Sequence, residues 1–194
     1  IALNNISLSR TIVGTDREVV IRAEVQNTGV QAVTPGPVSF EVGGTKVDET
    51  PIGLLLVGQS ETIEFRHKFK EPGPKLVQFN IDAKDDLEGD DRLDQVVNVR
   101  SKLPVLLLEG NPSGSFFERA SGYSALALAP SQAVLEGKAS GKSFLMDPRV
   151  VNATALREED LEQAEVVILA DVQRLPSRVA RTLARKVAQG MGLI

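Results

Sequence analysis

Six consecutive residues carry the most chemistry in this chain: Gly110, Asn111, Pro112, Ser113, Gly114 and Ser115, following an apolar run over 103–108 and Glu109. In open α/β sheets, ligands collect beyond the carboxyl ends of strands, and a helix amino terminus favours anions. Asn111, Ser113, Gly114 and Ser115 are therefore candidate ligand-binding residues. Asp171, closing a later apolar run over 166–170, is their natural neighbour. The same composition also makes a tight turn in which Ser113 or Ser115 caps the next helix. That simpler reading is preferred.

A second cluster is acidic. Asp82, Asp85, Asp86, Glu88, Asp90, Asp91 and Asp94 crowd around Gly89. Hard cations such as calcium need several carboxylate oxygens at one point, which makes Asp85, Asp86, Glu88, Asp90 and Asp91 candidate metal ligands. The order of Gly89 and the acids does not match a helical-hand calcium loop, so solvation of a loop and protection of a sheet edge is the first reading. A third set is basic: Arg174, Arg178, Arg181 and Arg185 step by three or four, as on one face of a helix. Such a stripe suits an acidic partner, although it is more often the solvated side of an amphipathic helix.

Other patterns exclude chemistry. The chain of 194 residues holds no Cys, which removes disulfides, thiolate catalysis and Cys-ligated metals. Its single His, His67, alternates with Phe65 and Phe69 and reads as a partly buried strand residue. Gly141-Lys142-Ser143 ends like a phosphate-binding loop, yet position 136 is Glu and the residues that follow read as strand. A net charge of -4 gives no general grip on phosphate backbones, so nucleic acid is not an expected partner. No cofactor is expected.

The elements that position these residues differ in kind between the two halves. Up to Val99, apolar and polar residues alternate, as in Val19, Ile21, Ala23 and Val25. Gly43-Gly44 suits a tight hairpin. Val38 to Val42 precedes it, an apolar run over 54–57 lies close by, and 62–69, 77–83 and 95–100 continue the pattern. Roughly seven short strands imply an all-β antiparallel sandwich over 1–101. From Leu103 the apolar residues are continuous, as in a strand covered on both faces by helices. Strands are expected over 103–109, 143–146 (resuming through 149–151), 166–170 and 192–194. Helices are expected over 116–128 and 156–164, with a last one that has Pro176 in its first turn and runs through Gln189. Strand and helix in alternation predict a parallel sheet over 102–194. Ile1 is not an initiator Met and 192–194 reads as a strand cut short, so a piece of a longer protein is expected.

Two resemblances follow from these residues. The stretch Val19-Val20-Ile21-Arg22-Ala23-Glu24-Val25-Gln26-Asn27-Thr28-Gly29, with Val38-Ser39-Phe40-Glu41-Val42 and Gly58-Gln59-Ser60-Glu61-Thr62, resembles the CARDB-type immunoglobulin-like domains of bacterial surface proteins. Leu103-Pro104-Val105-Leu106-Leu107-Leu108-Glu109-Gly110-Asn111-Pro112 and Ala164-Glu165-Val166-Val167-Ile168-Leu169-Ala170-Asp171-Val172, with 187–194, resemble the glutamine-amidotransferase-like, flavodoxin-like domain of BatA-type membrane proteins that carry a von Willebrand A domain. Met191 stands where that family's Gly is expected.

The second resemblance implies an extracytoplasmic setting in a membrane-anchored protein, with contact to the membrane only through segments outside this chain. True glutamine amidotransferases use a Cys nucleophile helped by His, and here that Cys is lacking. The expected role is non-catalytic presentation of surfaces to a protein partner, or to a second copy along an open sheet edge. The alternative is a small-ligand-binding or hydrolase-type α/β domain completed by residues beyond Ile194.

Overall fold

The computed structural model describes residues 1–83, 87–138 and 144–194. Its contacts divide the chain into two units, Ile1–Ser101 and Lys102–Ile194.

The first unit contains β1 (Ala2–Leu8), β2 (Val13–Gly14), β3 (Glu18–Gln26), β4 (Val38–Val42), β5 (Thr45–Thr50), β6 (Ser60–Lys68), β7 (Gly73–Ile81) and β8 (Arg92–Arg100). They form a three-stranded sheet, β1-β3-β6, and a five-stranded sheet, β2-β8-β7-β4-β5. Every pairing is antiparallel except that of β2 with β8. Alternation is what builds the core: Val19, Ile21, Ala23 and Val25 of β3 are buried, as are Ile63 and Phe65 of β6 and Val77, Phe79 and Ile81 of β7. Phe40 stacks on Phe65 with ring centroids 5.1 Å apart, and Phe79 lies 5.4 Å from Phe40. His67 is half-buried, edge-on to Phe69 at 4.6 Å and to Phe40 at 5.8 Å. Burial holds its pKa below the ordinary histidine value.

Two strands depart from the alternating pattern. In β1 the register with β3 shifts between Asn4 and Ser7, and Asn5 takes φ +54°, so a bulge breaks the period of two. In β5 nearly every residue is exposed, so no apolar row marks it. Gly43 and Gly44, with φ of 60° and 78°, make the turn between β4 and β5. The apolar run 54–57 forms only an isolated bridge, between Leu55 and Val33.

The second unit contains β9 (Leu103–Glu109), a 3-10 turn (Phe116–Glu118), α1 (Ala120–Leu128), α2 (Gln132–Leu135), β10 (Met146–Asn152), α3 (Glu158–Glu162), β11 (Val166–Ala170), α4 (Ser177–Ala188) and β12 (Gly192–Leu193). Its sheet is parallel throughout, in the order β10-β9-β11-β12. On one face Leu106 and Leu108 pack with Leu161, Val179 and Leu183, so α3 and α4 cover it. On the other face Leu107 packs with Ala125, Ala129 and Val134 beneath α1 and α2. Burial on both faces explains the solid apolar run of β9.

Three sequence expectations are corrected here. The second strand of this unit is Met146–Asn152, which takes in the expected resumption at 149–151, whereas 144 and 145 are not in a strand and Ser143 lies outside the described residues. The helix expected from Phe116 begins only at Ala120, because Arg119 is extended (φ -95°, ψ 140°) and separates it from the 3-10 turn. Pro176 is the residue before α4, at φ -55° and ψ 136°, and is not part of its first turn.

Candidate functional site

β9 delivers one charged side chain to the end of a fully apolar strand. Glu109 is 1% exposed, and a carboxylate so placed must be supplied with donors. Ser121, at the start of α1, donates its backbone N–H at 3.0 Å and its hydroxyl at 2.7 Å to Oε2. The Asn111 N–H donates to Oε1 at 2.9 Å. Burial works to raise the Glu109 pKa, but these hydrogen bonds, with help from Arg119, outweigh it and hold the carboxyl below its ordinary range. Glu109 thus fills the position at the amino terminus of α1 that suits an anion.

The loop after Glu109 is engaged with itself. Asn111 Oδ1 accepts from the Ser113 hydroxyl at 2.6 Å. Ser115 donates its N–H to Glu118 Oε2 at 2.6 Å, and this bond, with the Ser115 hydroxyl, lowers the Glu118 pKa. The Gly114 carbonyl accepts from Arg119 Nη2 at 3.0 Å. Asp171 is adjacent through its main chain: Gly110 donates its N–H to the Ala170 carbonyl at 2.9 Å. A Cβ on Gly110 would stand 1.8 Å from the Asp171 carbonyl oxygen, so only glycine permits this approach. Asp171 itself adopts φ +53°. The structure therefore brings together Asn111, Ser113, Gly114 and Ser115, with Asp171 on the neighbouring turn, whose main chain lies against Gly110.

Two features escaped the sequence reading. One is Glu109, signalled only by a lone carboxylate ending an apolar run. The other is a cavity of about 520 Å³ between α1, α2 and β10, with Glu109, Phe116, Ser121, Val134, Pro148 and Asn152 among its walls. Nearby, Phe117 and Tyr123 are exposed, with ring centroids 5.6 Å apart.

Of the acidic candidates, Asp85 and Asp86 lie outside the described residues, and Glu88 and Asp90 fall in a 3-10 turn (Glu88–Asp90) that Asp91 follows. Asp90 Oδ1 is buried without a hydrogen-bond partner among the described residues. Among those residues, no three His, Cys, Asp or Glu side chains come together as a metal-holding group.

The arginine stripe is shortened. Arg174 precedes α4 and does not share its face with Arg178, Arg181 and Arg185, because the helix starts at Ser177. Arg178 pairs with Glu158 of α3, and Lys186 pairs with Glu162 at 2.7 Å. At the open edge of the sheet, β10 carries Pro148 in mid-strand, which has no N–H to offer a neighbouring strand. Among the described residues no helix is long and apolar enough to cross a membrane.

The fold and these sites define an all-β sandwich followed by a parallel α/β unit. The CARDB family model matches residues 4–98, and that segment is a CARDB domain with an immunoglobulin-like sandwich. Among solved structures, the chain is similar to the CARDB domain of a Pyrococcus furiosus protein in complex with di-metal ions. The identity is 17% and the TM-score 0.46, over 50% of this chain and 85% of that one. It is also similar to the 272–376 domain of a Methanosarcina acetivorans protein assigned to the cell surface, at 21% identity and TM-score 0.41, over 50% of this chain and 90% of that one. A β-glucosidase from Listeria innocua matches at 12% identity and TM-score 0.37, over 49% of this chain and 16% of the enzyme. No curated protein matches the chain.

Proposed function

We propose that this chain is a non-catalytic, extracytoplasmic segment of a larger membrane-anchored bacterial protein, and that it presents surfaces to a protein partner. The second unit is read as flavodoxin-like, of the glutamine-amidotransferase-like kind in BatA-type proteins. Numbered within the unit, its strand order is 2-1-3-4, as in flavodoxin-like sheets. In that arrangement the ligand crevice lies between strands 1 and 3, at the carboxyl ends of β9 and β11. There Gly110 and Asp171 meet main chain to main chain, and Glu109 supplies the anion for α1. Close approach of the Gly110 and Asp171 main chains, with Glu109 already engaged as the anion for α1, favours presentation over turnover, and this observation carries the proposal.

This chain has no Cys, so a single introduced thiol reports on it. With Thr45→Cys in the parent protein, a membrane-impermeant maleimide labels the parent in intact cells above the level of the unsubstituted parent if the segment lies outside the cytoplasm; a gain in labelling only after lysis overturns that placement. The purified chain is expected to leave glutamine and simple esters unchanged, and turnover lost in Ser121→Ala would overturn the non-catalytic reading.

A second reading is favoured by the cavity beside Glu109, whose volume lies within the range of small-molecule sites. In it, this unit binds a small ligand with help from residues outside the chain.

A further inference from the structure

We propose that the cavity between α1, α2 and β10 binds a neutral sugar. This rests on the second reading of the proposed function and names the chemical class of its ligand.

The cavity lies on the α1 side of β10, and its volume of about 520 Å³ has room for a pyranose ring. Alternation along β10 decides which side chains reach it. Val151 packs with the apolar group beneath α3 and α4, so Pro148, Val150 and Asn152 belong to the opposite, α1 side. Asp147 and Arg149 also border the cavity, but the same alternation turns them toward α3. There Arg149 pairs with Asp160 at 2.8 Å, and Asp147 and Arg149 line a smaller hollow beside it.

Charge selects against an ionic ligand. Four charged residues remain on the walls: Glu109, Arg119, Glu136 and Lys138. Lys138 pairs with Glu136 at 2.6 Å at the solvent-exposed rim. Glu109, inside, has the positive charge of Arg119 and three hydrogen bonds in its support. Each sign is matched by its opposite. A charged ligand would enter with no counterpart and lose its hydration, whereas a neutral one avoids that cost.

The hydrogen-bonding groups at the Glu109 end define the ligand further. Asn152 Oδ1 accepts from the Thr154 N–H and hydroxyl, both at 2.9 Å, while its Nδ2 donates to nothing among the described residues. Arg119 donates Nε and Nη2 to the Gly114 carbonyl at 3.3 and 3.0 Å, which leaves Nη1 for a ligand. Ser121 gives its hydroxyl proton to Glu109 and keeps only acceptor capacity. Donors beside an acceptor suit hydroxyl groups, which give one hydrogen bond and take others. Phe116, Val134 and Val150 offer apolar wall to the C–H face of a ring. A pure hydrocarbon would leave the donors of Asn152 and Arg119 unpaired. A hydroxylated ring satisfies both kinds of surface.

The test is titration of the isotope-labelled full chain with glucose to roughly 100 mM, since a ligand of this size binds in the millimolar range. Saturable shifts are expected at the Ser121, Gly122 and Asn152 amides, including the Asn152 side chain. Val150→Trp puts a bulky ring at an exposed position on the wall and is expected to weaken binding about tenfold or more. Should that variant melt lower than the wild type, intermolecular Overhauser contacts in the wild type decide the matter. Contacts from sugar C–H protons to Phe116 or Val150 support the proposal, and their absence overturns it. Glucose shifts confined to other residues, or undiminished binding by a stable Val150→Trp, also overturn it. Hexanoate, butylammonium and propan-2-ol are titrated in parallel. If one of them shifts these amides and glucose does not, the sugar is overturned and the second reading stands. If none of the four shifts them, both are overturned.

Discussion

Glu109 is the residue on which the second unit is most exposed to change. Its three hydrogen bonds tie the end of β9 to the start of α1 and to the loop at Asn111. Glu109→Ala would leave the Ser121 N–H and hydroxyl and the Asn111 N–H without their acceptor. A loss of about 3 kcal/mol is expected, measured by urea unfolding. The pH dependence has a definite sign. The folded pKa of Glu109 lies below that of an unfolded chain, so its contribution is complete above the ordinary carboxylate range and is lost as pH falls through the folded value. Unfolding midpoints should fall in that acid range for the wild type, and fall less for Glu109→Ala. Sequence alone marks Glu109 as an oddity. Its partner Ser121 lies 12 residues away, and that distance is closed only by the fold.

At the scale of elements, the strands that face one core on one side were the legible ones. β3 and β6 bury alternate residues, and in β7 the apolar residues Val77, Phe79 and Ile81 alternate although Gln78 is buried as well; that apolar period is visible without coordinates. β1 hides behind its bulge, and β5 lies at a sheet edge with little buried. β10 mixes Pro148 and Arg149 with its apolar residues, so no period identifies it. Asn27 shows the same limit from the other side. It reads as a residue that ends a strand, but its work is to bracket two segments through Leu55, 28 positions away. Asn27→Ala removes donations to the Gln31 and Leu55 carbonyls and the acceptance from Gly29 N–H at a buried site, and is expected to cost about 3 kcal/mol. Faster hydrogen exchange at the Gly29 and Gly58 amides would locate the loss in this bracket, and unchanged exchange there would contradict it.

At the scale of the molecule, the change in apolar rhythm near position 102 corresponds to separate sets of packed side chains. The sandwich core draws on residues from Ile1 to Val99, while the two faces of the parallel sheet draw on residues from Leu106 onward. Cutting between Ser101 and Lys102 leaves every strand of the first unit whole. The fragment 1–101 is expected to melt cooperatively with dispersed amide resonances, and a collapsed spectrum would show that its core depends on the second unit. The candidate ligand loop was legible as a loop with capping residues. That Gly110 lies against the main chain of Asp171 was not, because this approach joins two turns 61 positions apart that only the fold brings together.

Tyr123 is the lone tyrosine, tryptophan is absent, and its ring stands 63% exposed on α1. Ultraviolet emission excited near 280 nm therefore comes from the α/β unit alone, while the phenylalanine-packed sandwich stays dark. Nature has left the molecule with a single built-in dye, attached to one half and blind to the other.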